Sequence, residues 1–297
     1  MSKKILFRTD SSSKIGLGHV MRDLVLAKQF KDDEILFACQ NLEGNIMDKI
    51  PYPKIVLNSN SIDELIMIIK KENIDLLVID HYEIGFKEEK EIKQKTGVKI
   101  FVLDDTYEKH YCDILLNHNI YANKKKYIEL VPKSCQIQCG EKYTLIRDEF
   151  KNQIIKHYKK DGIFISFGGT DTQSNTLKTL KILKQFKKKV YLHITSSNKN
   201  LKKIKQYALY NKWIVLKIDT DVSTSMAKSY LAIITTSTIF YEAVFMKLKI
   251  IGIKVASNQH ELYQYAKKKG FLVFDKFNSS KIKKAIQNEL KTKSKSR

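Results

Sequence analysis

The chain has 297 residues, 43% of them hydrophobic and 29% charged, a balance that excludes a disordered or fibrous protein and leaves length for two cores. No apolar run reaches the ~18 to 20 residues of a membrane helix, and the opening MSKKILFRTD lacks the features of a secretory signal, so a cytoplasmic protein with no membrane partner is expected. The net charge of +22 invites nucleic acid, but only Arg8, Arg22, Arg147 and Arg297 among the 54 basic residues are arginine, and arginine is the residue suited to reading phosphates and bases. The lysines are scattered rather than striped, so no nucleic-acid partner is expected, while attraction to a small anionic substrate remains.

Short apolar runs alternate with helix-like stretches. In the first half, strands are predicted at residues 5–7, 35–38, 76–79, 100–103 and 114–116, with helices at 21–30, 61–72 and 87–96. Ser61, followed three residues later by Glu64, has the spacing of a capping box. Fully apolar strands separated by helices imply a parallel sheet covered on both faces. The pattern weakens between 117 and 160, where 143–150 reads as a connection and KHYKKDG as a polar linker. It then restarts with strands at 163–167, 190–195, 214–218, 231–234 and 250–253, and helices at 174–186, 200–211, 238–246 and 261–269.

The expected architecture is α/β: two doubly wound Rossmann-like domains facing a cleft. Residues 1–150 form an N-terminal domain and 151–290 a C-terminal one, with a disordered tail at 291–297. In such sheets ligands bind beyond the carboxyl ends of the strands. Cys39, Cys112, Cys135 and Cys139 lack a second pair or histidines at zinc spacing and read as reduced thiols.

The first strand-end loop, SSSKIGLGH, carries Gly16 and Gly18, which permit a tight turn and close approach of a ligand to the backbone. His19 follows at the mouth of a helix. From the loop alone it is equally well a polar cap packed on the sheet or a base, since the positive helix end disfavours imidazolium and a neutral imidazole can take a proton from water. The second loop, IDHYEIG, places Asp80, His81 and Tyr82 where a ligand would sit. The third, VLDDTYEKHYCD, adds Asp104, Asp105, His110 and Asp113, without the spacing of a metal-ligand triad. In the second half, FISFGGTD ends in Gly168, Gly169 and Thr170, a small nest suited to a diphosphate or else a plain turn. The run IITTSTIFYEA puts Ser237 and Thr238 at a helix start and Glu242 one turn later. Hydroxyls there can donate to phosphate, and the carboxylate can accept from a ribose diol. Asn258 lies in a further strand-end loop, SNQHEL.

Together, RTDSSSKIGLGHVMRDLVLAKQF, LLVIDHY, CDILLN, CGEKYTLIRDEF, FGGTD, TTSTIFYEA and SNQHEL resemble the UDP-sugar hydrolase family of pseudaminic acid biosynthesis, in order, through about residue 275. The resemblance implies a GT-B-like fold shared with inverting glycosyltransferases, with water as acceptor and no metal or other cofactor. It implies hydrolysis of UDP-2,4-diacetamido-2,4,6-trideoxy-β-L-altropyranose to UDP and free sugar. It also implies His19 as the base that activates water and Tyr82 near the sugar. Gly168, Gly169 and Thr170 become the phosphate turn, Ser237, Thr238 and Glu242 the nucleoside diphosphate contacts, and Asn258 a sugar or phosphate contact. A Lys-rich extension after Gly270 departs from the family pattern. The partners expected are the nucleotide sugar and water alone, with the chain a monomer. The alternatives are a GT-B-like transferase using another acceptor and a non-catalytic nucleotide-sugar binder; release of UDP and free sugar without acceptor separates them from the hydrolase.

Overall fold

A computed structural model of the protein describes residues 2–295. The chain forms two compact units, Met1–Leu145 and Ile146–Arg297, dividing slightly ahead of the expected boundary at 150. The N-terminal unit runs β1 (Lys4–Thr9), α1 (Gly18–Ala27), β2 (Glu34–Gln40), β3 (Lys54–Leu57), α2 (Ile62–Lys71), β4 (Leu76–Asp80), α3 (Phe86–Thr96), β5 (Lys99–Leu103), β6 (Ile114–Asn117) and β7 (Gln136–Cys139). Its seven strands are parallel, in the order β3-β2-β1-β4-β5-β6-β7. The C-terminal unit runs α4 (Asp148–Ile154), β8 (Gly162–Ser166), α5 (Asn175–Leu183), β9 (Lys189–Ile194), α6 (Leu201–Leu209), β10 (Ile214–Ile218), α7 (Ser223–Ala227), β11 (Ser229–Thr235), α8 (Thr238–Phe245), β12 (Lys249–Ile253), α9 (His260–Lys268), β13 (Leu272–Phe274) and α10 (Ser279–Lys295). Its parallel sheet has the order β10-β9-β8-β11-β12-β13.

The central strands are apolar because both faces are covered. In β1, Leu6 faces the helices α2 and α3 through Leu65, Ile66 and Ile92, while Ile5 and Phe7 pack with Val20 and Leu26 of α1. Each such buried side chain contributes roughly 1.5–3 kcal/mol. The reversal of strand order falls between β1 and β4 in the first sheet and between β8 and β11 in the second, and such a reversal opens a crevice at the carboxyl ends.

Three strands escape the apolar pattern. β3, β7 and β13 lie at or beside sheet edges, are three or four residues long, and are largely half-exposed. Residues 143–150, expected as a connection, lead into α4, whose first turn carries Asp148 and Glu149, acidic residues that favour a helix start. The expected tail at 291–297 is helical as far as Lys295. Buried Ile282, Ala285 and Ile286 anchor α10, and the lysines that follow are good helix formers; residues 296 and 297 lie outside the described part. Ser61 stands at the start of α2, but its hydroxyl makes no cap. Glu64 reaches back instead to the N–H groups of Asn58 at 3.1 Å and Ser59 at 3.3 Å.

The crossovers 104–113 and 118–135 contain no α-helix. The face of the first sheet that carries Leu76, Phe101 and Leu116 is therefore covered by α1 and by Tyr143 and Leu145 rather than by helices of its own.

Candidate active site

The switch point of the N-terminal unit gathers side chains from three strand ends. After β1 the chain turns through a loop closed by reciprocal backbone bonds, Gly16 N–H to Ser12 O at 2.8 Å and Ser12 N–H to Gly16 O at 3.3 Å. Gly16 sits at φ +89°, in the region that favours glycine. Gly18 opens α1, and no side chain caps the helix. His19 is buried, 6% exposed. Its Nδ1 donates to Asp80, at 2.7 Å from Oδ1 and 3.1 Å from the backbone oxygen. With the ring proton on Nδ1, the Nε2 lone pair is the basic one.

Asp80 ends β4, and its side chain is 1% exposed. Arg22, one turn along α1 from His19, grips both Asp80 oxygens through Nε and Nη2 and reaches Asp105 Oδ2 at 2.7 Å through Nη1. Burial works against the Asp80 charge, but the Arg22 guanidinium and the His19 hydrogen bond outweigh it and hold the carboxyl at about 2. Asp23, on the next position of α1, is also buried and neither oxygen takes a hydrogen bond. Burial, then the Asp80 charge, pushes it well above the usual carboxylate range. Burial, followed by the Arg22 charge, lowers His118 to about 4. Tyr82 stands edge-on against His19, ring centroids 4.7 Å apart at 89°. Its hydroxyl donates to Asp105 at 3.1 Å, and the residue is 64% exposed.

Two buried networks fix this constellation from behind. Arg8 and Asp10, both 1% exposed, pair at 2.8 Å, with Asn60 also accepting from Arg8. His81 donates from Nε2 to Asp10 at 3.1 Å, because its Nδ1 accepts the Glu83 N–H. In the β5–β6 loop, His110 contacts Glu89 at 2.6 Å, and Asp104 accepts from Tyr127 at 2.6 Å and from the Thr106 and Tyr107 N–H groups. That loop carries Asp105.

In the C-terminal unit a cavity of about 310 Å³ brings together Gly168, Gly169, Thr170, Ser237 and Gln259. Gly168 holds φ +79° with no atom within 4 Å of where a Cβ would lie. The turn does not lead directly into α5. Asp171 intervenes, and its carboxylate accepts the Asn175 and Thr176 N–H groups, each at 2.9 Å, so the start of α5 is already capped. Ser237 Oγ pairs with Thr235 Oγ1 at 2.8 Å and leaves the start of α8 without a side-chain cap. Thr238 is exposed. Glu242 is 8% exposed and lies outside this cavity's lining. Its Oε1 accepts from Arg147 Nε at 2.7 Å, yet burial outweighs that partner and raises its pKa. Asn258 is exposed in a short turn, while its neighbour Gln259 anchors the loop by accepting the Val255 N–H at 2.9 Å.

The structure thus joins His19 with Tyr82, and Gly168, Gly169 and Thr170 with Ser237; it does not bring Thr238, Glu242 or Asn258 into that second cavity. Sequence reasoning gave no role to Arg22, Gln259 or Arg147 and left Asp80 among general strand-end polars. The available signal was the i, i+3 spacing of His19 and Arg22, which places both on one helical face. Among the described residues, no group of three or more His, Cys, Asp or Glu is arranged to hold a metal ion, and no helix is long and apolar enough to cross a membrane.

No family model matches the chain. It is 44% identical, over 276 residues, to the UDP-2,4-diacetamido-2,4,6-trideoxy-beta-L-altropyranose hydrolase of Campylobacter jejuni, covering 92% of this chain and all of the relative. It is 27% identical over 289 residues to an uncharacterized protein of Methanocaldococcus jannaschii and spans 58% of that protein's length. Similar solved structures include Acinetobacter baumannii MurG, with a TM-score of 0.65 at 10% identity, and Arabidopsis thaliana UGT89C1 complexed with UDP, with a TM-score of 0.65 at 9% identity. Each aligns over 97% of this chain and 91% of the solved one, and the likeness establishes the GT-B fold.

Proposed function

The chain belongs to the UDP-2,4-diacetamido-2,4,6-trideoxy-beta-L-altropyranose hydrolase family, and from that premise we propose that it hydrolyses this UDP-sugar with inversion at C1, using His19 as general base. The observation that carries the reading is the His19–Asp80 contact of 2.7 Å at the sheet's switch point. Asp80 fixes the tautomer and ring direction, leaving Nε2 to accept a proton. As the water oxygen bonds to C1, its proton passes to Nε2, and the C1–O bond breaks with its electron pair going to the diphosphate. The free sugar, inverted at C1, and UDP leave, and the imidazolium returns its proton to solvent. A positioned base contributes ~10²- to 10⁴-fold. The Gly168, Gly169 and Thr170 backbone, Ser237 and the uncapped start of α8 supply donors for the growing diphosphate charge. Glu242 accepts from the ribose hydroxyls, Tyr82 packs on the sugar, and Asn258 contacts the sugar or phosphate. The reaction proceeds without a metal and supplies free sugar to pseudaminic acid biosynthesis.

The test is turnover of the UDP-sugar without acceptor, in EDTA, followed by proton NMR of the anomeric signal, for wild type and His19→Ala. Inverted free sugar from wild type and a loss of ~10²-fold or more in the variant support the reading. Undiminished turnover in His19→Ala removes the base. UDP binding without free sugar removes the hydrolase.

A further inference from the structure

At the amino ends of the strands, opposite the His19 site, the N-terminal unit holds a cavity of about 810 Å³. It exists because the crossovers after β5 and β6 bring no helix to this face of the sheet. Its floor is apolar, formed by Leu76, Phe101, Ile114 and Leu116. One wall is Leu26 and Phe30 at the end of α1, and the other is Tyr143 and Leu145. A volume of this size over an apolar floor is that of a small-molecule site, ~300–1,000 Å³.

The charged groups in its lining are three lysines and one aspartate. Lys3, Lys99 and Lys142 line it and are exposed. Lys142 lies 5.6 Å from the Tyr143 ring, and none of the three forms a salt bridge among the described residues. The one carboxylate in the lining, Asp75, is turned onto the Lys4 N–H at 2.8 Å. An apolar floor under three unpaired ammonium groups is complementary to a molecule with a hydrocarbon body and an anionic head. The active site instead presents carboxylates, a guanidinium and an imidazole at the other end of the same strands, so the two places select different chemistry.

We infer that this cavity is a second binding site, for an amphiphilic anion whose apolar chain lies on the Phe101–Leu116 floor while its carboxylate or phosphate meets Lys3, Lys99 and Lys142. The chemistry is shared by acyl carboxylates and prenyl phosphates. It is tested on the full chain by isothermal titration with decanoate, geranyl phosphate and, as the uncharged control, decanol. The expected result is saturable 1:1 binding of at least one anion, at least about tenfold tighter than decanol. The triple variant Lys3→Glu/Lys99→Glu/Lys142→Glu should weaken it by about tenfold or more, since reversal turns three attractions into repulsions. Gln29→Trp, which places bulk into the cavity from α1, should abolish it, with UDP binding and the circular dichroism spectrum unchanged in both variants. Tighter decanoate assigns a carboxylate ligand, and tighter geranyl phosphate a phosphate one. Equal binding of decanol, no saturation to 1 mM, or anion binding untouched by both variants overturns the inference.

Discussion

Asp80→Asn keeps the side chain's shape and replaces one carboxylate oxygen with an amide nitrogen. In the native site that carboxylate serves three donors at once: His19 Nδ1, and Nε and Nη2 of Arg22. The amide can accept through its oxygen only, so either the imidazole or part of the guanidinium loses its partner. If the imidazole loses it, the proton is free to move to Nε2 and the base points its lone pair away from water. Losing the tautomer in a comparable dyad costs ~10⁴-fold, so the expected fall in kcat is ~10²- to 10⁴-fold, or about 2.7 to 5.4 kcal/mol at 1.36 kcal/mol per decade. Stability also falls, because the buried guanidinium keeps only Asp105 as a carboxylate partner. With the side chain 1% exposed, removing one member of the pair costs about 3 kcal/mol, or ~6 to 12 °C for a unit of this size. The assay is initial-rate release of UDP and free sugar, with Tm checked so that rates are read on folded protein. His19→Ala/Asp80→Asn is the decisive variant. Residues acting as a unit are non-additive, so the double variant should be no slower than His19→Ala. A folded Asp80→Asn at wild-type rate, or a double variant slower by the product of the two single losses, refutes the positioning role of Asp80.

Burial works against a charge on His110, but the carboxylates of Asp104 and Glu89 outweigh it and hold its pKa up at about 9. The folded value exceeds the unfolded ~6.5, so this stabilisation, on the order of 3 kcal/mol, is fully present below pH ~6.5 and is lost as pH rises through 9. Urea unfolding should show the N-terminal unit weakening over that window, with His110→Gln flattening the slope. Glu242→Gln removes a charged acceptor while keeping shape, and calorimetry should find UDP bound about tenfold more weakly. Gly168→Ala meets no neighbour, but it forces a side chain into φ +79°. It should cost ~1–2 kcal/mol in thermal stability and weaken UDP binding with it.

The doubly wound plan was readable because central parallel strands are apolar on both faces, so β1, β4, β5, β8 and β11 announce themselves as short continuous runs. β3, β7 and β13 did not, since a short, half-exposed strand owes its conformation to a neighbour's hydrogen bonds rather than to its own pattern. The site was readable to the extent that its chemistry is local. Gly16, Gly18 and His19 stand within one loop, and Gly168, Gly169 and Thr170 within another. What no window of sequence contains is the pairing of His19 with Asp80, 61 residues away, or of Arg147 with Glu242, 95 residues away. The first is set by the β1–β4 neighbour relation, which aligns Thr9 with Asp80. Asp171 shows the opposite case. The glycine turn and the helix are adjacent in sequence, yet a single carboxylate between them takes the N–H groups that the pattern offered to a phosphate.

The groups around His19 bear on the proposed proton transfer. Arg22 faces two carboxyl groups, Asp80 and Asp105. Burial, then the Asp80 charge, raises Asp23 well above the usual carboxylate range, and burial, then the Arg22 charge, lowers His118 to about 4. In the proposed mechanism, a proton taken from water by Nε2 puts a positive charge on the ring that Asp80 already contacts at 2.7 Å. A buried, hydrogen-bonded cluster cannot reorganise cheaply, so the orientation of these groups is set before any substrate arrives. Stabilisation that appears only after proton transfer lowers the barrier rather than tightening substrate binding. The two acids on α1 and β4 are therefore driven apart by their surroundings, Asp80 down through Arg22 and Asp23 up through burial. A separation of this kind between neighbouring acids is what the proposed mechanism, with His19 as the base, calls for.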